Sequence, residues 1–420
     1  MSNALLSYEE AAAAVAGRAA KARQPAVEWV ELEAAQGRVL AQTLRADRDQ
    51  PPFARSTRDG YSCRARECSK HGWLAIAGAS RAGDAPAGPL PEGAAWEIMT
   101  GAPVPAGADA VIMLEHVELA GGQVRLLPPR TSAEGENIVA QGAQARAGDE
   151  LLAAGSAMEF AQVALAATCG SVRLEVFAKP RVAILCTGDE IVAVEAEPAP
   201  GQIRNSNGPM LAALTAEAGG EPWVLPGAGD NVAALEAALE RAAEADLMLI
   251  SGGVSAGKFD LVEPRLARMG ARFHFTGVRM QPGKPLVFGE LPGAPRGDAK
   301  QNQNGTKFFF GLPGNPVSSA VTFLLFAAPM LRALGGRTEQ GPRFALARLK
   351  ESVKGKAGLT RFLPAACTFS AAAGETPEVR RVEWQGSGDL AAMARSNCFL
   401  VLAEDAERVN AGDTVRILLW

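Results

Sequence analysis

The sequence runs to 420 residues, of which 48% are apolar and 21% charged, with a formal net charge of −4. That length exceeds what one hydrophobic core supports and predicts two to four domains; the composition excludes a disordered chain, and the charge leaves no basic footprint for nucleic acid. No apolar leader follows Met1 and no stretch reads as approaching a membrane span, so the expectation is a cytoplasmic protein that contacts neither membrane nor nucleic acid.

In chain order, residues 8–24 (YEEAAAAVAGRAAKARQ) predict an amphipathic helix, followed by short alternating apolar segments in VEWVELEAAQGRVLAQTL. From about 46 to 146 the texture changes to frequent Gly and Pro between short apolar runs (WLAIAG, WEIMTG, AVIMLEH, QVRLLP), which predicts a small β-rich domain. Residues 156–170 predict another short helix, ended by Gly170. The helices on either side of the β-rich piece are expected to pack together, which would make that piece an insertion. From about 177 to 330 strands and helices alternate (RVAILCTG, PMLAALTAEAGG, EPWVLPGAG, NVAALEAALERAAEA, DLMLISGG). This rhythm predicts a doubly wound parallel sheet with helices on its faces and ligands at the carboxyl ends of its strands. From about 340 onward, FALARLKESV, TRFLPAACTF, EVRRVEW, CFLVLAE and TVRILLW predict a small β-barrel or sandwich.

The six cysteines are scattered; the nearest pair, Cys63 and Cys68, matches no common zinc knuckle, and free buried thiols are expected throughout. The three histidines, His71, His116 and His274, are isolated. A histidine-held metal or a Ser-His-Asp triad is therefore disfavoured, and any metal should have oxygen ligands, which favours Mg²⁺.

The candidate chemistry falls at the predicted strand ends. Thr187, Gly188, Asp189 and Glu190 follow RVAILC, and Ser251, Gly252, Gly253 and Ser255 follow or end DLMLIS. Asn205, Ser206 and Asn207 open a helix; Lys284 sits in QPGKP, and GLPGNPVSS ends an apolar strand with Pro313, Asn315 and Pro316. Each has an ordinary reading on its own: acids in a loop as solvated charge, Asn and Ser as helix caps, glycines as turns, prolines as a stiff helix start. Together at one sheet edge they form a phosphate and metal pocket, since helix amides and glycine-rich turns accept anions closely. Neither a Walker A nor a G-x-G-x-x-G pattern occurs.

DRDQPPFARSTRDGY (47–61), IMTGAPVPAGADAVIMLEH (98–116), GENI (135–138), VAILCTGDEIV (182–192), GQIRNSN (201–207), DLMLISGGVSAGKFD (246–260), QPGKPLVFG (281–289) and GLPGNPVSS (311–319) resemble, in order, the motifs of the molybdopterin molybdenumtransferase family. Its members include the bacterial MoeA proteins and the E domain of gephyrin; QGSGDLAAMARSN (385–397) resembles it more loosely.

The resemblance implies a multidomain α/β chain. Residues 1–45 plus 147–176 would form an N-terminal helical linking domain, 46–146 an inserted β-rich domain, 177–335 a MoaB/MogA-like α/β domain and 336–420 a C-terminal β-barrel. It implies a homodimer whose cleft lies between the α/β domain of one subunit and the barrel of the other. The reaction it implies takes adenylylated molybdopterin and molybdate, cleaves the phosphoanhydride and releases AMP with Mg²⁺. A molybdopterin adenylyltransferase upstream and molybdoenzyme acceptors downstream are candidate partners.

Carried over position by position, Asp189, Glu190, Asp230 and Asp260 would hold Mg²⁺, and Lys284 would meet an anion. Thr187, Gly188, Asn205, Ser206, Asn207, Gly252, Gly253, Ser255 and Asn315 would bind substrate, with Pro313 and Pro316 walling the molybdate site. Asp59 and Thr100 match important positions of the inserted domain, and an Asx turn is an equal local reading of Asp59. The chain departs from the family pattern at Gln281, around Ala143 and Gln144, and at Lys258. A MogA-like adenylyltransferase and a non-catalytic gephyrin-like scaffold are the competing readings.

Overall fold

A computed structural model describes residues 5–227, 232–253, 262–292, 306–369 and 376–420. The first helix, α1 (Tyr8–Ala19), is fixed at its start by a reciprocal cap. The Glu10 N–H donates to Ser7 Oγ at 3.1 Å, and the Ser7 N–H donates to the Glu10 carboxylate at 2.7 Å. Its buried residues, Tyr8, Ala11, Val15 and Ala19, recur at helical spacing.

That stripe does not face the helix beyond the β-rich piece, α2 (Phe160–Thr168), as the sequence led us to expect. It packs into the α/β core, where the Tyr8 ring lies 5.9 Å from Phe326 and 5.7 Å from Phe362. Burial explains the difference, because α2 offers one fully buried residue, Ala166, and starts on an 81% exposed Phe160. What holds the linking module together is strand pairing. Val27–Glu31 runs antiparallel to Arg173–Phe177, and Leu44–Arg45 to Glu150–Leu152, so the chain enters and leaves the insertion side by side.

The insertion is a six-stranded mixed sheet in the order Ala110–Met113, Gly60–Cys63, Ala94–Ile98, Leu74–Ser80, Gln123–Leu126, Val117–Ala120. The expectation of six free thiols fails here. Cys63 ends a strand, the one-turn helix Ala65–Cys68 folds back on it, and the two sulfurs form a disulfide with Cα atoms 6.7 Å apart. Among the described residues Cys169, Cys186, Cys367 and Cys398 are free.

The α/β domain is built on β1 (Arg181–Cys186), β2 (Glu221–Val224), β3 (Leu247–Ser251), β4 (Arg272–Phe275), β5 (Val287–Leu291) and β6 (Lys307–Leu312), in the sheet order 2-1-3-6-5-4. Strands 2, 1, 3 and 6 are parallel, as expected of the alternation, but β5 runs antiparallel to both neighbours. Side chains alternate between the two faces. Val182, Ile184, Leu247, Leu249, Phe308 and Phe310 join α1, α3 (Asn207–Glu217) and α6 (Pro316–Leu334) in one core. Ala183, Leu185, Met248, Ile250 and Phe309 pack on the other face with α4 (Val232–Ala242) and α5 (Val262–Arg268).

Helix α6 corrects the reading that no stretch nears membrane-span length, since its 19 residues are long and apolar enough. It is 72% buried inside the protein because it is the central core helix, with a π turn at Phe323–Ala327.

Phe344–Leu349, Thr360–Thr368, Glu378–Arg381, Cys398–Leu402 and Thr414–Leu419 close into a five-stranded barrel. The nine-residue strand Thr360–Thr368 makes closure possible by pairing with Cys398–Leu402 along its first half and Glu378–Arg381 along its second. Met280–Gln281 adds to the barrel edge in parallel with Thr360 and Arg361.

Phe326 is fully buried between α1 and the sheet, so Phe326→Ala should cost about 3–5 kcal/mol, read as a fall in the urea midpoint. A loss below about 1 kcal/mol would show that α1 is not anchored there.

Candidate active site

The register of the sheet aligns its loops. Cys186 is opposite Ser251 and Ser251 opposite Leu312, so the turns after β1, β3 and β6 leave the sheet side by side. Antiparallel β5 adds a fourth loop: Val287 is opposite Gly311, which brings the preceding QPGKP segment and the exposed Lys284 to this same edge.

The backbone locks these turns together. The Thr187 N–H donates to Ser251 O at 2.9 Å, and the Gly252 N–H to Leu312 O at 3.2 Å. Gly252 and Gly253 have φ of 89° and 63°, and a Cβ on Gly252 would lie 2.4 Å from Thr187 O. Only glycine fits so tight and left-handed a crossing. The Gly252 amide is engaged by Leu312 O.

Asn207, the first residue of α3 and 5% exposed, joins three elements through one amide group. Its Nδ2 donates to Ser251 Oγ at 2.8 Å and to Gly314 O at 2.7 Å. Ser319 Oγ donates in turn to Pro313 O, holding the proline loop against α6. Asn205 Oδ1 accepts from the Gly208 N–H at 2.8 Å and is a helix cap, while Ser206 is exposed and makes no cap bond. Asn315 Nδ2 donates to Ser387 Oγ at 2.9 Å and the Val317 N–H to Ser387 O at 3.0 Å, so a loop of this chain's own barrel closes over the start of α6.

Two buried oxygens beside these loops, Thr187 Oγ1 and Asn207 Oδ1, have no hydrogen-bond partner among the described residues. Leaving each unpaired costs about 1–3 kcal/mol. At the end of β1, burial pushes the Cys186 thiol up to about 11, so it stays protonated and unreactive near neutral pH.

Asp189 and Glu190 are exposed on the turn after β1, and a Cβ on Gly188 would meet the Glu190 carboxylate at 2.5 Å. The turn is tied to the approach to α3 by Ile203 N–H to Glu190 O, 2.7 Å, and Asn205 N–H to Val192 O, 2.9 Å. Asp230, Ser255, Lys258 and Asp260 lie outside the described residues. Among the described residues no three acidic, histidine or cysteine side chains gather as a metal cage. Two hard carboxylates on one turn nevertheless suit Mg²⁺, which takes few protein ligands and completes its shell with water and substrate phosphate.

Asp59 and Thr100 are brought together, though in the inserted sheet and not at this edge. Asp59 Oδ1 accepts from the Thr100 N–H at 2.7 Å and from Thr100 Oγ1 at 2.8 Å. The partner is therefore 41 residues away, not the local Asx turn. Ser319 and Ser387 escaped the sequence reading, and Ser251 was named there without its role as a partner of Asn207. They lie inside or beside the quoted motifs, but their roles depend on which loops meet.

The Thr100 donors, first the backbone N–H and then the hydroxyl, hold the Asp59 carboxyl below its ordinary value of 3.8. A lowered folded value contributes stability that is present above the ordinary carboxylate range and lost as pH falls through the folded one. Thr100→Val removes only the hydroxyl and should move the Asp59 titration part of the way back up by carbon-detected NMR; an unmoved titration would rule out the pairing.

Three family models follow one another along the chain: MoeA N-terminal region (domain I and II) over residues 6–170, probable molybdopterin binding domain over 183–333, and MoeA C-terminal region (domain IV) over 346–420. Proteins named molybdopterin molybdenumtransferase are similar to it: one from Nostoc is 37% identical over 74% of this chain and 70% of its own length, and one from Haemophilus influenzae 33% identical over 93% of both. A solved molybdopterin biosynthesis MoeA structure from Pyrococcus horikoshii is 30% identical, covers 99% of both chains and superposes with a TM-score of 0.72. A second from strain OT3 is 27% identical with a TM-score of 0.79. With these matches spanning the inserted sheet, the aligned loop edge and the barrel alike, the chain belongs to the molybdopterin molybdenumtransferase family.

Proposed function

We propose that the chain inserts molybdate into adenylylated molybdopterin with release of AMP, as a Mg²⁺-dependent cytoplasmic homodimer. The relatives' name gives the reaction class, and the protein is a transferase of molybdenum cofactor biosynthesis. The observation that carries the finer reading is the single aligned edge, where four loops emerge together and Asn207 clasps the end of β3 and the proline loop to the start of α3.

At that edge the chain's residues have separate tasks. Lys284, exposed on its proline-bounded turn, offers a point charge to the phosphoanhydride. Ser206 and the unpaired Thr187 hydroxyl supply polar contacts beside it. Asn205 and Asn207 keep the helix start rigid, so orientation is fixed before substrate arrives. Pro313 and Pro316 shape the wall for molybdate, and Asp189 and Glu190 would hold Mg²⁺ with Asp230 and Asp260. When bound, that ion offsets charge building on the departing phosphate.

Glu190→Ala should abolish AMP release from adenylylated molybdopterin, molybdate and Mg²⁺ while leaving the melting temperature unchanged. Retained turnover would remove Glu190 from the metal role. Asn205→Ala with Ser206→Ala should weaken nucleotide binding well beyond the ~1 kcal/mol of a lost cap. If calorimetry shows only lower stability, that stretch serves the helix alone.

A further inference from the structure

A cavity of about 430 Å³ opens at the opposite edge of the sheet, between the linking module and the carboxyl ends of α3 and α6. Its lining includes Arg332, Arg337, Arg343 and Lys179, against the carboxylates of Glu159 and Glu217. A fifth cation, Arg38, is already engaged by Glu28 and by Phe177 O. Among the described residues no carboxylate lies within ion-pairing distance of Arg332, Arg337, Arg343 or Lys179. Burial first, then Arg337 and Arg343, lower the Arg332 guanidinium below its ordinary value, with Glu217 opposing them, so the like charges outweigh the carboxylate there.

The four cations outnumber the two lining carboxylates, Glu159 and Glu217, and such an excess of like charge is destabilising; the backbone holds the segment that carries three of them. Arg332 Nη1 donates to Gln340 O at 3.3 Å and Gly341 O at 2.9 Å, holding the turn that leads to Arg343. The Arg337 N–H donates to Arg332 O at 2.9 Å and the Thr338 N–H to Gly155 O at 3.1 Å. Close approach confirms the rigidity: a Cβ on Gly155 would lie 2.4 Å from Thr338 Oγ1, and one on Gly336, at φ 74°, would strike the Phe177 ring. The two helix carboxyl ends bring roughly half a negative charge each, and together with Glu159 and Glu217 they still leave the four cations in excess. An apolar side is supplied by Phe160 at the rim, with Met158 and Leu331.

We propose that this cavity binds a pyrophosphoryl group, with Arg332, Arg337, Arg343 and Lys179 neutralising its charge. The group is free pyrophosphate or the diphosphate of a nucleotide whose base rests on Phe160. Guanidiniums suit such a ligand because their paired N–H donors match phosphate oxygens. The site is separate from the aligned loop edge and does not depend on the reaction proposed there.

The test is calorimetric titration of the full-length protein with inorganic pyrophosphate and, in parallel, with ADP, at low salt. Arg337→Gln with Arg343→Gln should weaken pyrophosphate binding at least tenfold while AMP release in the transferase assay stays unchanged. Lys284→Ala should leave this binding event in place. Phe160→Ala should weaken ADP but not pyrophosphate if a nucleotide is the ligand, and neither if free pyrophosphate is. Equal pyrophosphate affinity in wild type and the double variant overturns the proposal. So does a double variant that changes sedimentation but not binding, because carboxylates of a second copy would then be what neutralises the arginines.

Discussion

The candidate site depends on one constraint, that three parallel strands of one sheet end in register. Cys186, Ser251 and Leu312 are lateral neighbours, so whatever follows them in the chain must emerge together. Register alone would leave the turns loose. The Asn207 amide, bonded to Ser251 and Gly314, converts adjacency into a fixed geometry, and Gly252 permits the close crossing beneath it. The two unpaired oxygens beside this network are the expense of a surface shaped for something other than its own packing.

Much of the fold was legible because period and punctuation agreed. The runs RVAILC and DLMLIS are buried on both faces, as continuous apolar strands in a covered parallel sheet should be. What local pattern did not reveal was direction and partnership. β5 reads as an ordinary strand, yet it runs antiparallel, and that reversal is what carries Lys284 to the edge shared by the other loops. α1 has an amphipathic stripe that says what it buries but not against what, and its partner lies more than three hundred residues on, at Phe326 and Phe362.

The site was legible residue by residue but not bond by bond. Asn205, Ser206 and Asn207 look alike in sequence, and the structure gives them three different tasks: a cap, an exposed hydroxyl and a buried clasp. Which is which follows from helix phase and from the loops overhead, and neither is encoded within the tripeptide. The Asp59–Thr100 pair is similar, since a hydrogen bond between turns 41 residues apart leaves no local signature. The Cys63–Cys68 bridge was hidden for a different reason. Spacing gave no zinc pattern, and only the one-turn helix between the two residues brings the sulfurs together.

The short strand Met280–Gln281 belongs to the barrel, whereas Val287 is already inside the α/β sheet. Residues 282–286 are all that lies between, and Lys284 is at their centre. Two bodies whose packing meets at Phe362, Phe399 and Leu418 are thus also strapped by a tether too short to absorb slack. Any rocking of the barrel must be felt at that ammonium group, making its position a gauge of how the two halves of the molecule are seated.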